Sequence, residues 1–213
     1  MIPSNSLVFL IDDDASVRRG VSRLLRSAGY NSEAFGSASD FLTREQHSGP
    51  VCVIVDVRMP RINGIDLQNV LIQRRREEQL VFITGHGDVP MCAQAMKAGA
   101  VDFLPKPFRA NQLLECVERA LARSVEQRQR GFEKTEARRL LDLLTPREFE
   151  VMQLVITGML NKQIAAELGT AEKTIKVHRG RVMKKLGIAS VAELVRLVET
   201  ARIAPVKWCE TKV

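Results

Sequence analysis

Carboxylates, a hydroxyl and a lysine recur in one kind of place along this chain: just after a short apolar run. Asp12, Asp13 and Asp14 follow LVFLI, Asp56 follows VCVIV, Thr84 follows LVFI, and Lys106 follows VDFL with Pro105 between. In open parallel sheets, ligands gather beyond the carboxyl ends of the strands, so these residues would converge. Carboxylates meeting at one point repel one another, and a hard divalent cation with oxygen ligands, Mg2+ or Mn2+, relieves that repulsion. A lysine and a hydroxyl across the crevice would then neutralise and hydrogen-bond the oxygens of a phosphoryl group. Such surroundings turn one carboxylate into a nucleophile that forms an acyl phosphate. Taken singly, each residue has a plainer reading: the aspartates as a solvated loop or helix N-cap, Lys106 as a turn residue between prolines, Thr84 as a structural hydroxyl. Their joint placement favours the site.

The elements that must position these groups can be read from the apolar pattern. Residues 7–11, 51–55, 80–83 and 101–104 are continuous apolar or nearly apolar runs, and 30–35 is a weaker one. Amphipathic stretches at 17–25, 65–72, 89–97 and 112–121 alternate with them, the first closed by Gly29 and the third by Gly99. Five strands alternating with helices predict a doubly wound α/β fold around a parallel sheet, covered on both faces. This first domain is assigned to residues 1–120.

Residues 121–143 are crowded with charge and are assigned as a helical linker that continues the last helix of the first domain, with Gly131 its weak point. Leu114, Val117, Leu121, Val125 and Phe132 form a helical stripe that would also suit a short dimer seam. From 144 to 213 the pattern is all helix. Thr145-Pro146-Arg147-Glu148 and Ser190-Val191-Ala192-Glu193 are capping boxes. Helices at 161–168 and 173–186, separated by a glycine-bearing turn, form a helix-turn-helix.

The net charge of +7 is uneven: zero over 1–120, +2 over 121–144 and +5 over 145–213. Only the last third therefore suits a polyanion. No apolar run approaches the ~20 residues of a membrane helix, and the first residues lack the basic region of a secretion signal. Cys52, Cys92, Cys116 and Cys209 have no metal-ligand spacing. A cytoplasmic protein with reduced thiols and no membrane partner is expected. On a helix at ~100° per residue, Ile175, Val182 and Leu186 share one face, while Lys173, Lys176, Val177, Gly180, Arg181 and Lys184 share the other. An apolar back and a basic front suit entry into the major groove of double-stranded DNA.

The segments Ile11-Asp12-Asp13-Asp14, Val55-Asp56-Val57-Arg58-Met59-Pro60, Ile83-Thr84-Gly85-His86-Gly87-Asp88 and Leu104-Pro105-Lys106-Pro107-Phe108 resemble the receiver domain of bacterial two-component response regulators. The spacings match too: 44 residues from Asp12 to Asp56, 28 from Asp56 to Thr84 and 50 from Asp56 to Lys106. The segment from Leu144 through Asn161-Lys162-Gln163-Ile164-Ala165 and Thr174-Ile175-Lys176-Val177-His178-Arg179 to Lys185-Leu186-Gly187 resembles the LuxR-type DNA-binding domain. Within that resemblance, the ITGHGD segment at 83–88 and the long linker point to the FixJ-like branch of the FixJ/NarL regulators.

The resemblance implies Asp56 as phosphoacceptor, with Thr84 and Phe103 as switch residues and Lys106 as the phosphate partner. It implies Mg2+ on Asp12, Asp13, Asp56 and the backbone carbonyl of Arg58, and a cis Lys106–Pro107 bond. Arg58 and His86 would flank the path of attacking water. In the second domain, Lys176, Val177 and Gly180 would face bases, Asn161, Lys162 and some of His178, Arg179, Arg181 and Lys184 would hold phosphates, and Lys173 would also contact DNA. Gly180 offers no side chain to read a base. Ala171 stands where the family usually has a serine N-cap, and Thr170 is a partial substitute.

The implied function is a transcriptional regulator that takes a phosphoryl group from a sensor histidine kinase, pairs as a homodimer on phosphorylation and binds promoter DNA, with RNA polymerase a further candidate partner. It would not be a turnover enzyme, only a self-catalysed acceptor with slow autodephosphorylation. A phosphatase using Asp56 lacks the acid that such chemistry favours two residues later, where Arg58 stands. A phosphorylation-independent DNA-binding regulator, its first domain a protein-interaction module, is the alternative, and release of an interdomain inhibitory contact is a variant.

Overall fold

The computed structural model describes residues 3–85 and 89–204. The chain divides into two compact units at Arg128/Gln129. The first holds strands β1 (Leu7–Ile11), β2 (Ser32–Phe35), β3 (Val51–Asp56), β4 (Gln79–Thr84) and β5 (Asp102–Pro105). Between them run α1 (Ala15–Ser27), α2 (Ala38–Thr43), α3 (Gly64–Gln73) and α4 (Val89–Lys97), and α5 (Ala110–Leu141) follows β5. The strands form one parallel sheet in the order β2-β1-β3-β4-β5, the α/β fold expected from the pattern.

Alternation along the strands sends successive side chains to opposite faces. Phe9, Ile11, Val53, Val55 and Phe82 meet α2, α3 and α4 on one face. Val8, Leu10, Cys52, Ile54, Val81 and Ile83 meet α1 and the first turns of α5 on the other. Cys52, Cys92 and Cys116 are free thiols; Cys209 lies outside the described residues.

The sequence order reverses between β1 and β3, whose register pairs Ile11 with Val55. The next residues, Asp12 and Asp56, therefore end adjacent strands ~4.8 Å apart. Thr84 ends β4 opposite Pro105 of β5, which leaves Lys106 one residue beyond the sheet edge. The topology alone brings the four together.

The charged stretch after residue 121 is a continuation of α5, and Gly131 does not interrupt it. Its end is not a bare spacer: Ala137 and Leu141 are buried in the second unit's core. The expected apolar stripe is divided. Val117 and Leu121 are consumed by the sheet, whereas Phe132 is 64% exposed.

The second unit adds α6 (Pro146–Val155), α7 (Asn161–Glu167), α8 (Glu172–Leu186) and α9 (Val191–Ala201). Its core joins Val151, Met152, Ile164, Ile175, Val182, Leu186, Leu194 and Val198. The Thr145 capping box forms in full. At α9 Ser190 caps the Glu193 amide, but Glu193 returns to the Ala189 amide instead of that of Ser190, so the second box is only half made.

Candidate functional site

Lys106 organises the carboxyl edge of the sheet. Its Nζ donates to Asp12 Oδ2 at 2.7 Å and to Asp56 Oδ1 at 2.9 Å. Asp12 and Asp56 are 1% and 6% exposed, and Thr84 is 1% exposed. The other oxygens are used as well: Asp12 Oδ1 accepts from the Asp14 amide at 2.8 Å, and Asp56 Oδ2 from the Arg58 amide at 2.9 Å. The Lys106 amide donates to the Thr84 carbonyl at 2.6 Å, and the Lys106–Pro107 bond is cis. Burial pushes the Asp56 carboxyl above the usual carboxylate range, although Lys106 pulls partly the other way. Burial opposes the Lys106 ammonium, but its bonds to Asp12 and Asp56 outweigh that and hold its pKa above the ordinary lysine value.

Asp13 is exposed on the loop after β1. Asp14 is not part of the cluster; it is the N-cap of α1, accepting from the Ser16 amide and hydroxyl at 2.7 and 2.6 Å. Phe103 is partly buried on β5, its ring 6.1 Å from that of Phe82. Arg58 is exposed beside Asp56, and His86 lies outside the described residues.

Among the described residues, no three acidic, histidine or cysteine side chains form a cage for an ion. The donor set nevertheless fits Mg2+, which demands few protein ligands: one or two carboxylates, with water and substrate oxygens completing the octahedron. Asp12 and Asp56, both buried, would supply those carboxylates.

One residue of this edge escaped the motif pattern. Arg18, one turn into α1, reaches back so that its Nη1 donates to the carbonyls of Asp12 at 2.6 Å and Asp13 at 2.9 Å. Its only sequence signal is a long cation in the first turns of a helix that follows the acidic run.

On α8, Ile175, Val182 and Leu186 are buried, and Lys173, Lys176, Val177, Gly180, Arg181 and Lys184 are exposed. His178 and Arg179 are only half exposed. Arg179 Nη1 donates to Asn161 Oδ1 at 2.8 Å, and His178 Nδ1 is buried without a partner. Lys162 is exposed on α7. No side-chain hydrogen bond caps α8 at Ala171, so Thr170 does not replace the missing serine. Gly187, in the left-handed region, ends the helix. Behind it, Lys185 Nζ meets Glu148 Oε2 at 2.6 Å. That bond and the Thr145 amide hold the Glu148 carboxyl well below its usual range, at about 2.

Two buried aspartates bridged by a partly buried lysine at a sheet edge are joined in one chain to a helix-turn-helix. Residues 8–118 match the response regulator receiver domain, and residues 142–198 match the bacterial regulatory proteins of the luxR family. The chain belongs to the two-component response regulators.

This response regulator is 45% identical over 201 residues to nodulation protein W of Bradyrhizobium diazoefficiens, covering 94% of the chain and 88% of that protein. It is 38% identical over 204 residues to the transcriptional regulatory protein FixJ of Azorhizobium caulinodans, covering 96% and 97%. Among solved structures, the response regulator StyR superposes with a TM-score of 0.78 at 48% identity, over 91% of this chain and 98% of that one. Membership implies a sensor kinase as partner and DNA as ligand of the LuxR-type unit. No described helix is long and apolar enough to cross a membrane.

Proposed function

We propose that this response regulator is a cytoplasmic, phosphorylation-dependent transcription factor whose switch is an acyl phosphate on Asp56. The observation that carries the reading is the Lys106 ammonium shared between Asp12 and Asp56 at 2.7 and 2.9 Å.

A sensor kinase phosphohistidine is the donor. An Asp56 carboxylate oxygen attacks phosphorus, the O–P bond forms as the P–N bond breaks, and the imidazole leaves with the electron pair. Asp12, Asp13, Asp56 and the Arg58 carbonyl would hold Mg2+ or Mn2+, which supplies neutralisation of the phosphoryl charge when bound. Lys106 then follows the new charge, and the Thr84 hydroxyl and Phe103 respond to it. The face of α4, β5 and α5 changes its affinity for a second receiver. Two paired chains present two α8 helices to a two-fold promoter site.

On each α8, Lys176, Val177 and Gly180 approach base edges. Lys162, Lys173, Arg181 and Lys184 contact phosphates, with Asn161 and Arg179 bound to each other beside them. RNA polymerase is the further partner of the DNA-bound dimer. Each chain accepts one phosphoryl group and hydrolyses it slowly, so it is a stoichiometric acceptor and not a turnover enzyme.

The test is fluorescence anisotropy on a duplex selected from a random-sequence pool, titrated with full-length protein before and after acetyl phosphate and Mg2+. Tighter binding after treatment of wild type, with no change for Asp56→Asn, is expected. Equal affinity in both states would favour the phosphorylation-independent alternative.

A further inference from the structure

Arg18 lies outside the motifs that define the acceptor site, yet it grips both residues that open it. Its Nη1 bonds to the carbonyl oxygens of Asp12 and Asp13 together, and a Cβ added at Gly36, after β2, would stand 3.6 Å from that nitrogen. Asp12 is also tied at a distance, its carboxylate to Lys106, but among the described residues nothing besides Arg18 reaches the Asp13 carbonyl. Asp12's amide reaches the Phe35 carbonyl at 3.3 Å, the Asp14 amide reaches Asp12's own carboxylate, and Asp14 caps α1. Asp13 has no side-chain hydrogen bond among the described residues, so its carboxylate is held in place only by its backbone. That backbone is held by Arg18.

We infer that Arg18 is a positioning residue for the divalent cation: it fixes the 12–13 peptide so that the Asp12 and Asp13 carboxylates are presented together. The inference rests on the proposed acceptor chemistry at Asp56. A charge-assisted bond to a carbonyl is stronger than a neutral one, and a single planar nitrogen serving two successive carbonyls locks the dihedrals between them. Arg18 touches neither the phosphoryl group nor the attacking oxygen, so its effect is confined to cation affinity. The direct Asp56–Lys106 bond does not involve Arg18.

The experiment uses the full chain with Mg2+ alone and no phosphodonor. Affinity is read by isothermal titration and by the rise in unfolding temperature with Mg2+ concentration. Arg18→Met, similar in length but without donors, is expected to weaken Mg2+ binding about ten-fold or more, the usual penalty for losing a group that orients a metal ligand. Arg18→Lys, which keeps the charge but not the planar fork, should recover part of that loss and carries the test if Arg18→Met does not fold. Labelling by acetyl phosphate should return to near the wild-type rate once Mg2+ is raised to saturate the variant. A lower unfolding temperature with unchanged Mg2+ affinity would overturn the inference, because Arg18 would then only stabilise the fold. A labelling rate that excess Mg2+ does not restore would overturn it as well. Failure of wild type to bind Mg2+ would instead overturn the acceptor reading beneath it.

Discussion

Gly64→Ala should damage the acceptor site from beneath. Gly64 opens α3 just after its N-cap Asn63, and its amide donates to the Val57 carbonyl at 3.0 Å. A Cβ there would stand 2.6 Å from the carbonyl oxygen of Asp56, 3.1 Å from Phe82 Cε1 and 3.2 Å from Val57 Cα. Two of those neighbours are backbone, so no rotamer change relieves the contact: either α3 lifts or the end of β3 moves. Overpacking of this kind costs about 1–3 kcal/mol. Alanine's better helix propensity returns at most ~1 kcal/mol, and less at a first helical position. The net loss is about 1–2 kcal/mol, or roughly 3–10 °C in unfolding temperature for a unit of this size.

The functional effect should exceed the stability effect, since a misplacement of ~1 Å in reacting groups can cost about 100-fold in rate. Calorimetry gives the first quantity, and the rate of acetyl phosphate labelling followed by intact mass gives the second. Gly131→Ala is the matched control: it sits in α5 with nothing within 4 Å of its Cβ and should stabilise by about 0.5–1 kcal/mol. Wild-type stability and labelling rate in Gly64→Ala would refute the reasoning, because the β3–α3 turn would then not depend on the missing side chain.

Three further outcomes are expected. The Glu148–Lys185 pair lowers a carboxyl from an ordinary 4.5 to about 2 in the folded state, so its stabilisation is full above pH 4.5 and lost as pH falls from there toward about 2. Urea unfolding between pH 5 and 2.5 should show that decline, and Glu148→Gln should flatten it. Lys184→Ala should weaken DNA binding evenly across sequences and reduce the slope of log affinity against log salt by about 1, read by anisotropy at several salt concentrations. Ser124→Ala removes the buried hydroxyl that accepts from the Val51 amide at 3.0 Å and should cost about 1–3 kcal/mol in urea unfolding.

The convergence of Asp12, Asp56 and Lys106 was legible because their position follows from one rule: polar groups after apolar runs meet at one sheet edge. Adjacency of Asp12 and Asp56 then needs only the β1–β3 register. What stayed hidden works through backbone or through distant contacts. Arg18 acts on carbonyls, which have no letter in the sequence. Helix α2 has six residues, too few for a period, and is recognised in three dimensions by Phe41 in the core under the Arg44 guanidinium. Gly131 read as a weak point because a glycine disfavours a helix in isolation, but packing of Ala137 and Leu141 beyond it outweighs that cost. On α8 the helical wheel separated front from back correctly. It did not show that Arg179 is taken up by Asn161, a pairing between two helices that no single-helix pattern contains.

The central claim is that Asp56 is the phosphoacceptor. Intact mass of the full chain after incubation with acetyl phosphate and Mg2+, run beside Asp56→Asn, tests it most directly. One added phosphoryl group on wild type and none on the variant is the expected result. An equal adduct on both proteins would place the acceptor elsewhere, and no adduct on either would leave the lysine-bridged pair of buried carboxylates without the chemistry assigned to it.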